Sequence, residues 1–163
     1  VGSKGNALFL IALSGGDIAD RELITDRLVM AGKARLAGFA MNPPVRRDAS
    51  IKKQPPLDGA SRGARLAEAI TGLELRPAVA GGLVVVHCLT PEEADLVRES
   101  GGEVWHVYGA KPSALVPIRR PDRMVTTGEN GFAHVLSPLE ALSEYLMVLG
   151  LAARSTVQRR ARA

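Results

Sequence analysis

Apolar and polar positions change period several times along the chain, and each change predicts an element. From Ala7 to Leu13 the run is continuously apolar and of strand length, which suits a central parallel strand buried on both faces. Ser14-Gly15-Gly16 ends it. Beyond this turn, Asp17 is positioned as an N-cap with Asp20 three residues on, and Ile18, Leu23, Ile24, Leu28 and Val29 form a helical apolar stripe up to Gly32. Lys33 to Met41 predicts a strand running into the stop at Asn42-Pro43-Pro44. Val45 to Gly63 is polar and irregular and predicts a long loop or mobile lid. A short helix is expected over Ala64 to Leu73 and a connector over Pro77 to Gly82.

The second half repeats the alternation. Leu83 to Cys88 is another buried strand, and Thr90-Pro91-Glu92-Glu93 opens a helix with a Thr N-cap, a proline at the first position and a capping-box glutamate. Gly101-Gly102 closes that helix, and Glu103 to Tyr108 is a third clear strand, so the three elements predict a right-handed parallel crossover. Gly109 to Asp122 is irregular. Met124 to Thr127 and Ala133 to Leu136 are short extended segments, and Ser137-Pro138-Leu139-Glu140 caps a C-terminal amphipathic helix that runs past Gly150. This order predicts a three-layer α/β/α fold on a mostly parallel sheet. The expected organisation is a flexible leader at 1–6, a single domain at 7–150 and a basic tail at 151–163.

Composition narrows the function classes. No apolar run approaches the roughly 20 residues of a membrane span, so a soluble, cytoplasmic protein is expected. The single cysteine, Cys88, lies in an apolar run and is expected to be buried as a small hydrophobe. The formal net charge is +4, yet Arg154, Arg159, Arg160 and Arg162 follow Gly150 with no acid among them. The remainder is formally neutral, so nucleic acid is not expected as a partner except through the Arg tail. An aromatic content of 4% argues against a base-stacking RNA platform. His87, His106 and His134 have no spacing that suggests a metal site, and no serine, histidine and acid grouping suggests a hydrolase.

A strand, a glycine turn and a helix in succession are how phosphate-binding loops are built, because backbone N–H groups at a helix N-terminus cradle an anion. The run LFLIALSGG before a helix, then Leu36-Ala37-Gly38-Phe39-Ala40, then VVVHCLTPEEADLV ahead of Gly-Gly and a strand, and finally the Ser-Pro-Leu-Glu-Ala-Leu helix, resembles the deoxynucleoside monophosphate kinases of phages, members of the P-loop nucleoside monophosphate kinase group. The resemblance in element order covers most of Ala7 to Met147. It implies a P-loop kinase-like fold, ATP and magnesium as cofactors if the activity is kept, and a phage or prophage protein in a bacterial host.

The resemblance carries over to particular letters unevenly. With Gly15 as the first glycine of G-x-x-x-x-G-K-[ST], Asp20 stands at the second glycine, Arg21 at the lysine and Glu22 at the hydroxyl residue. Arg21 can meet a phosphate bidentately. The acids oppose it: unit charges about 4 Å apart interact by roughly 4 kcal/mol at an effective dielectric near 20. A divalent metal bridging Glu22 or Asp20 to phosphate is one way to keep binding; the plainer reading has Asp17 and Asp20 capping the helix themselves. The family's Asp-x-Arg pair, at the end of the strand before the Glu-Glu-Ala helix, is matched by His87 and Leu89. Arg119, Arg120 and Arg123, and separately Arg46, Arg47, Lys52 and Lys53, fall where nucleotide kinases hold phosphates and close lids, solvated loop charge being the plainer reading of both.

The candidate phosphate- or nucleotide-binding residues are therefore Gly15, Gly16, Asp17, Asp20, Arg21, Glu22, His87, Arg119, Arg120 and Arg123, with Arg21, Arg119 and Arg120 the catalytic candidates if transfer occurs. Three functions are carried forward. The first is a degenerate kinase relative without efficient phosphoryl transfer, binding a nucleotide, another phosphorylated small molecule, or a protein partner that includes a second copy of itself. The others are an active kinase with an unconventional loop and an interaction protein on an α/β scaffold.

Overall fold

The computed structural model describes residues 9–32, 35–41, 58–75, 81–109, 113 and 115–161. The expected leader at 1–6 and the basic group Arg46, Arg47, Lys52 and Lys53 lie outside the described residues. In chain order the elements are β1 (Phe9–Ser14), α1 (Ile18–Met30), β2 (Leu36–Phe39), α2 (Gly59–Leu75), β3 (Gly82–Val85), α3 (Pro91–Glu99), β4 (Glu103–Val107), β5 (Arg123–Val125), β6 (Val135–Leu136) and α4 (Pro138–Ala161).

The strands form one sheet in the order β2-β3-β1-β4-β5-β6, parallel at every pairing. β1 sits between β3 and β4 and is buried along its whole length, which is why its sequence is apolar without alternation. Its residues divide between two cores. Leu10 and Ala12 pack with Leu66, Ile70, Val97 and Val104 beneath α2 and α3. Phe9, Ile11 and Leu13 pack on the other face with Ile24, Leu28, Trp105, Leu142 and Tyr145, beneath α1 and α4. The fold is three-layer α/β/α, and each fully buried aliphatic side chain contributes about 1.5–3 kcal/mol. Gly82 lies so close to β1 that a Cβ there would stand 2.3 Å from the Phe9 carbonyl oxygen. Among the described residues no helix is long and apolar enough to cross a membrane.

The helix starts behave as their caps predict. Thr90 Oγ1 accepts the Glu93 N–H at 3.4 Å and donates to Glu93 Oε1 at 2.8 Å, and Ser137 Oγ accepts the Glu140 N–H at 3.2 Å. Two expectations are corrected. α2 begins at Gly59 rather than Ala64, so the last five residues of the expected loop are helical. Asp58 accepts the Ser61 N–H at 3.1 Å, and Arg62 reaches across to Glu93 on α3, so a local cap and tertiary packing outweigh the poor helix propensity of Gly59 and Gly63. In α1 the buried face consists of Arg21, Ile24, Thr25 and Leu28, while Ile18, Leu23 and Val29 are each about two-fifths exposed. The stripe is therefore rotated from the purely apolar one, because a buried arginine occupies its first position.

Candidate functional site: the carboxyl edge of the sheet

From β1 the chain crosses by α1 to β2 on one side; from β4 it crosses to β5 on the other. Open α/β sheets bind ligands outside the carboxyl ends of strands where the connections diverge in this way. Here that place is the crevice between β1 and β4. Most of the candidate residues gather there.

The turn leaving β1 is short. Gly15 and Gly16 take φ of 79° and 64°, a left-handed pair that glycine adopts without strain, and a Cβ on Gly16 would stand 2.9 Å from Val107 Cγ1. Asp17 caps α1, and Asp20 Oδ2 accepts the Asp17 N–H at 2.9 Å, so a carboxylate of the chain already holds an N-terminal amide. Arg21 turns inward and is 5% exposed. Its Nη1 donates to the carbonyls of Gly15 at 2.7 Å and Gly16 at 3.0 Å, and its Nε donates to His87 Nδ1 at 3.0 Å. The guanidinium thus ties the turn to the chain leaving β3.

His87 is defined by the same contact. Because Nδ1 accepts, the neutral ring carries its proton on Nε2, which lies 3.9 Å from Glu22 Oε1. Burial, with the charges of Arg21 and Arg62 added, pushes the His87 pKa down to about 4, so the ring is neutral at physiological pH. Burial likewise lowers the pKa of Arg21 against the opposing pull of Asp17 and Asp20. On the far side of His87, Arg62 Nη2 donates to the His87 carbonyl at 3.0 Å, and Arg62 Nε meets the fully buried Glu93 at 2.6 Å. Cys88, next in the chain, is buried, and burial drives its thiol up to about 12, with Glu93 adding to the shift.

A second group sits on the other flank of the crevice. His106 in β4 is in register with Ser14 in β1, so both side chains lie on the face covered by α2 and α3. His106 Nε2 lies 2.7 Å from Asp122 Oδ2, and Asp122 also accepts from Arg98 Nη2 at 2.7 Å and the Arg119 N–H at 2.9 Å. Burial raises the Asp122 pKa, but these hydrogen bonds from Arg98, Arg119 and His106 outweigh it and hold the carboxyl below its ordinary value. An ionised Asp122 only accepts, which fixes the neutral His106 as the Nε2–H tautomer. Ser14 Oγ, fully buried, is the one buried side-chain polar atom among the described residues without a hydrogen-bond partner. Beside the end of β4 lies a cavity of about 370 Å³ whose described walls include Gly15, His106, Tyr108, Val116, Ile118 and Met124.

The arginines separate. Arg119 reaches Asp95 of α3 at 3.3 Å and is half-exposed; Arg120 is exposed with no partner among the described residues. Arg123 is not part of the edge. It begins β5 and points toward the start of β4, donating to Glu103 at 2.7 Å and to Glu144 of α4. A groove of about 890 Å³ between β2 and α2 adds Arg65, exposed beside Arg62 and Ser61.

The His106–Asp122 pair escapes a sequence reading because one member sits inside a strand and the other ends an irregular stretch. Its one legible signal is the β4 alternation, which puts a histidine at an inward-facing position. Compared with family models, curated proteins and solved structures, the chain gives no match.

Proposed function

We propose that the protein is a degenerate relative of the phage-type deoxynucleoside monophosphate kinases, without efficient phosphoryl transfer, that binds a nucleotide or another phosphorylated small molecule at the carboxyl edge of its sheet. The observation that carries this is the orientation of Arg21. The cation standing in the lysine position of the phosphate loop is buried and engaged by two loop carbonyls and His87, while Asp20 holds the Asp17 amide. A phosphate at this turn would have to break those bonds before it gained any. Phosphoryl transfer depends almost wholly on positioned cations at the phosphates, so a sequestered one supports loss of transfer. Among the described residues, Arg65 and Arg120 are exposed cations available to a phosphorylated ligand. The reading implies a cytoplasmic protein of a phage or prophage in a bacterial host.

A calorimetric panel of deoxynucleoside mono-, di- and triphosphates, with and without magnesium, tests it. The expected result is binding of at least one phosphorylated compound with no dependence on magnesium, and no phosphate transfer from ATP to any deoxynucleoside monophosphate. Transfer above background that Arg21→Ala abolishes would establish an active kinase. Binding of none of the panel would shift the reading to an interaction protein on an α/β scaffold.

A further inference from the structure

We propose that the cavity lined by His106, Tyr108, Val116, Ile118 and Met124 is a binding site for a small, uncharged, planar ring compound bearing an N–H or O–H donor, with His106 Nδ1 as the acceptor that orients it. This site borders the turn at Gly15, but its orienting group, His106, lies outside that turn, and the proposal does not rest on the kinase-like reading.

The cavity has the size and place of a ligand site. Its volume of about 370 Å³ falls within the ~300–1,000 Å³ typical of small-molecule pockets, which are mostly apolar with few polar groups. It opens at the divergence between β1 and β4, where sheets of this kind bind ligands. Val116, Ile118 and Met124 supply apolar walls, and among the described residues no lysine, arginine, aspartate or glutamate lines it. An ionised ligand would leave its charge without a partner there, so a neutral one is selected. At the mouth, Tyr108 is 53% exposed and meets Phe132, itself 49% exposed, edge-on with ring centroids 5.2 Å apart. Together they present an aromatic face to water, which favours a flat ring.

Orientation comes from His106. Its Nε2–H is taken by Asp122, and Asp122 is in turn fixed by Arg98 and the Arg119 amide. Nδ1 has no hydrogen-bond partner among the described residues, and His106 lines the cavity, so a donor held in the cavity is the partner proposed for it. An acceptor with its tautomer set by a charged partner discriminates for donors: a ligand lacking one would leave Nδ1 desolvated and unpaired.

The test is a titration of the full chain, with ¹³C-methyl-labelled methionines, by benzimidazole and by 1-methylbenzimidazole. The two share the same bicyclic ring, but the second carries a methyl in place of the N–H. Met124 lines the cavity, whereas Met30 and Met147, 84% and 64% exposed, are internal controls on other surfaces. The expected result is a saturable shift of the Met124 methyl by benzimidazole, with Met30 and Met147 unmoved, and binding about tenfold weaker for the N-methyl compound. His106→Gln, which keeps a donor for Asp122 but has no atom at the Nδ1 position, is expected to weaken benzimidazole by a similar factor and leave the N-methyl compound unchanged. No Met124 shift up to about 10 mM, equal binding of the two rings, or equal shifts at Met30 and Met147 would each overturn the proposal, and none of these readings depends on the variant folding.

Discussion

The two flanks of the crevice solve the same problem in opposite ways. On one, around Arg21 and His87, the charged groups are engaged by the chain itself: arginine to carbonyls and imidazole, a second arginine to Glu93, Asp20 to an amide. On the other, around His106, the polar groups are satisfied up to one ring nitrogen and one serine hydroxyl, and a cavity stands beside them. A closed network contributes rigidity and offers nothing to a ligand. An incomplete one, held in place by a complete outer ring, is what a binding site requires.

Substitutions should separate the two flanks, and the largest effect is expected at the closed one. Arg21→Met leaves two carbonyls and an imidazole nitrogen without their donor and should destabilise the protein by roughly 4 kcal/mol in urea unfolding. A loss below about 1 kcal/mol would mean that these hydrogen bonds do not staple the turn.

The closed flank also carries a pH signature. His87 is held near 4 in the folded protein and titrates at its ordinary 6.5 when unfolded. Between those values the unfolded chain binds a proton that the folded one does not. Stability is therefore fully present above about pH 6.5 and falls as the pH drops toward 4, by up to about 3 kcal/mol. His87→Asn, which keeps an acceptor near the Nδ1 position but does not titrate, should flatten that slope in unfolding curves collected across the window.

At the open flank the effects are smaller. Asp122→Asn weakens the bonds to Arg98, His106 and the Arg119 amide together and should cost about 2 kcal/mol of stability. Because it also removes the charge that sets the His106 tautomer, it should reduce the preference for an N–H ligand in the methionine titration. Ser14→Ala removes a buried hydroxyl that has no partner and should be neutral or stabilising by about 0.5–1 kcal/mol in thermal unfolding. A clear destabilisation would show that the hydroxyl is bonded in solution.

What the sequence made legible follows from how local each feature is. β1, the Asp17 and Thr90 caps and the Gly101-Gly102 stop depend on neighbours a few residues away, and they lie where their chemistry puts them. The start of α2 was hidden because Gly59 and Gly63 speak against a helix locally, whereas Arg62 is held by Glu93, 31 residues on. Arg21 was legible as the cation after the turn, but not its direction, which is set by His87, 66 residues later. Proximity in the chain groups Arg123 with Arg119 and Arg120, yet the strand it begins turns it toward Glu103 and Glu144 instead. The His106–Asp122 pair joins two segments whose patterns, a strand and an irregular stretch, give no hint of each other.

The central claim is that the cation of the turn after β1 belongs to the fold and not to a phosphate. The ¹⁵N spectrum of the arginine side chains tests it most directly. The account predicts an Arg21 Nε–H resonance protected from exchange at neutral pH, coupled through its hydrogen bond to His87 Nδ1, and unmoved by magnesium and ATP. An Arg21 signal that exchanges freely, or that loses the His87 coupling and shifts when the nucleotide is added, would contradict it.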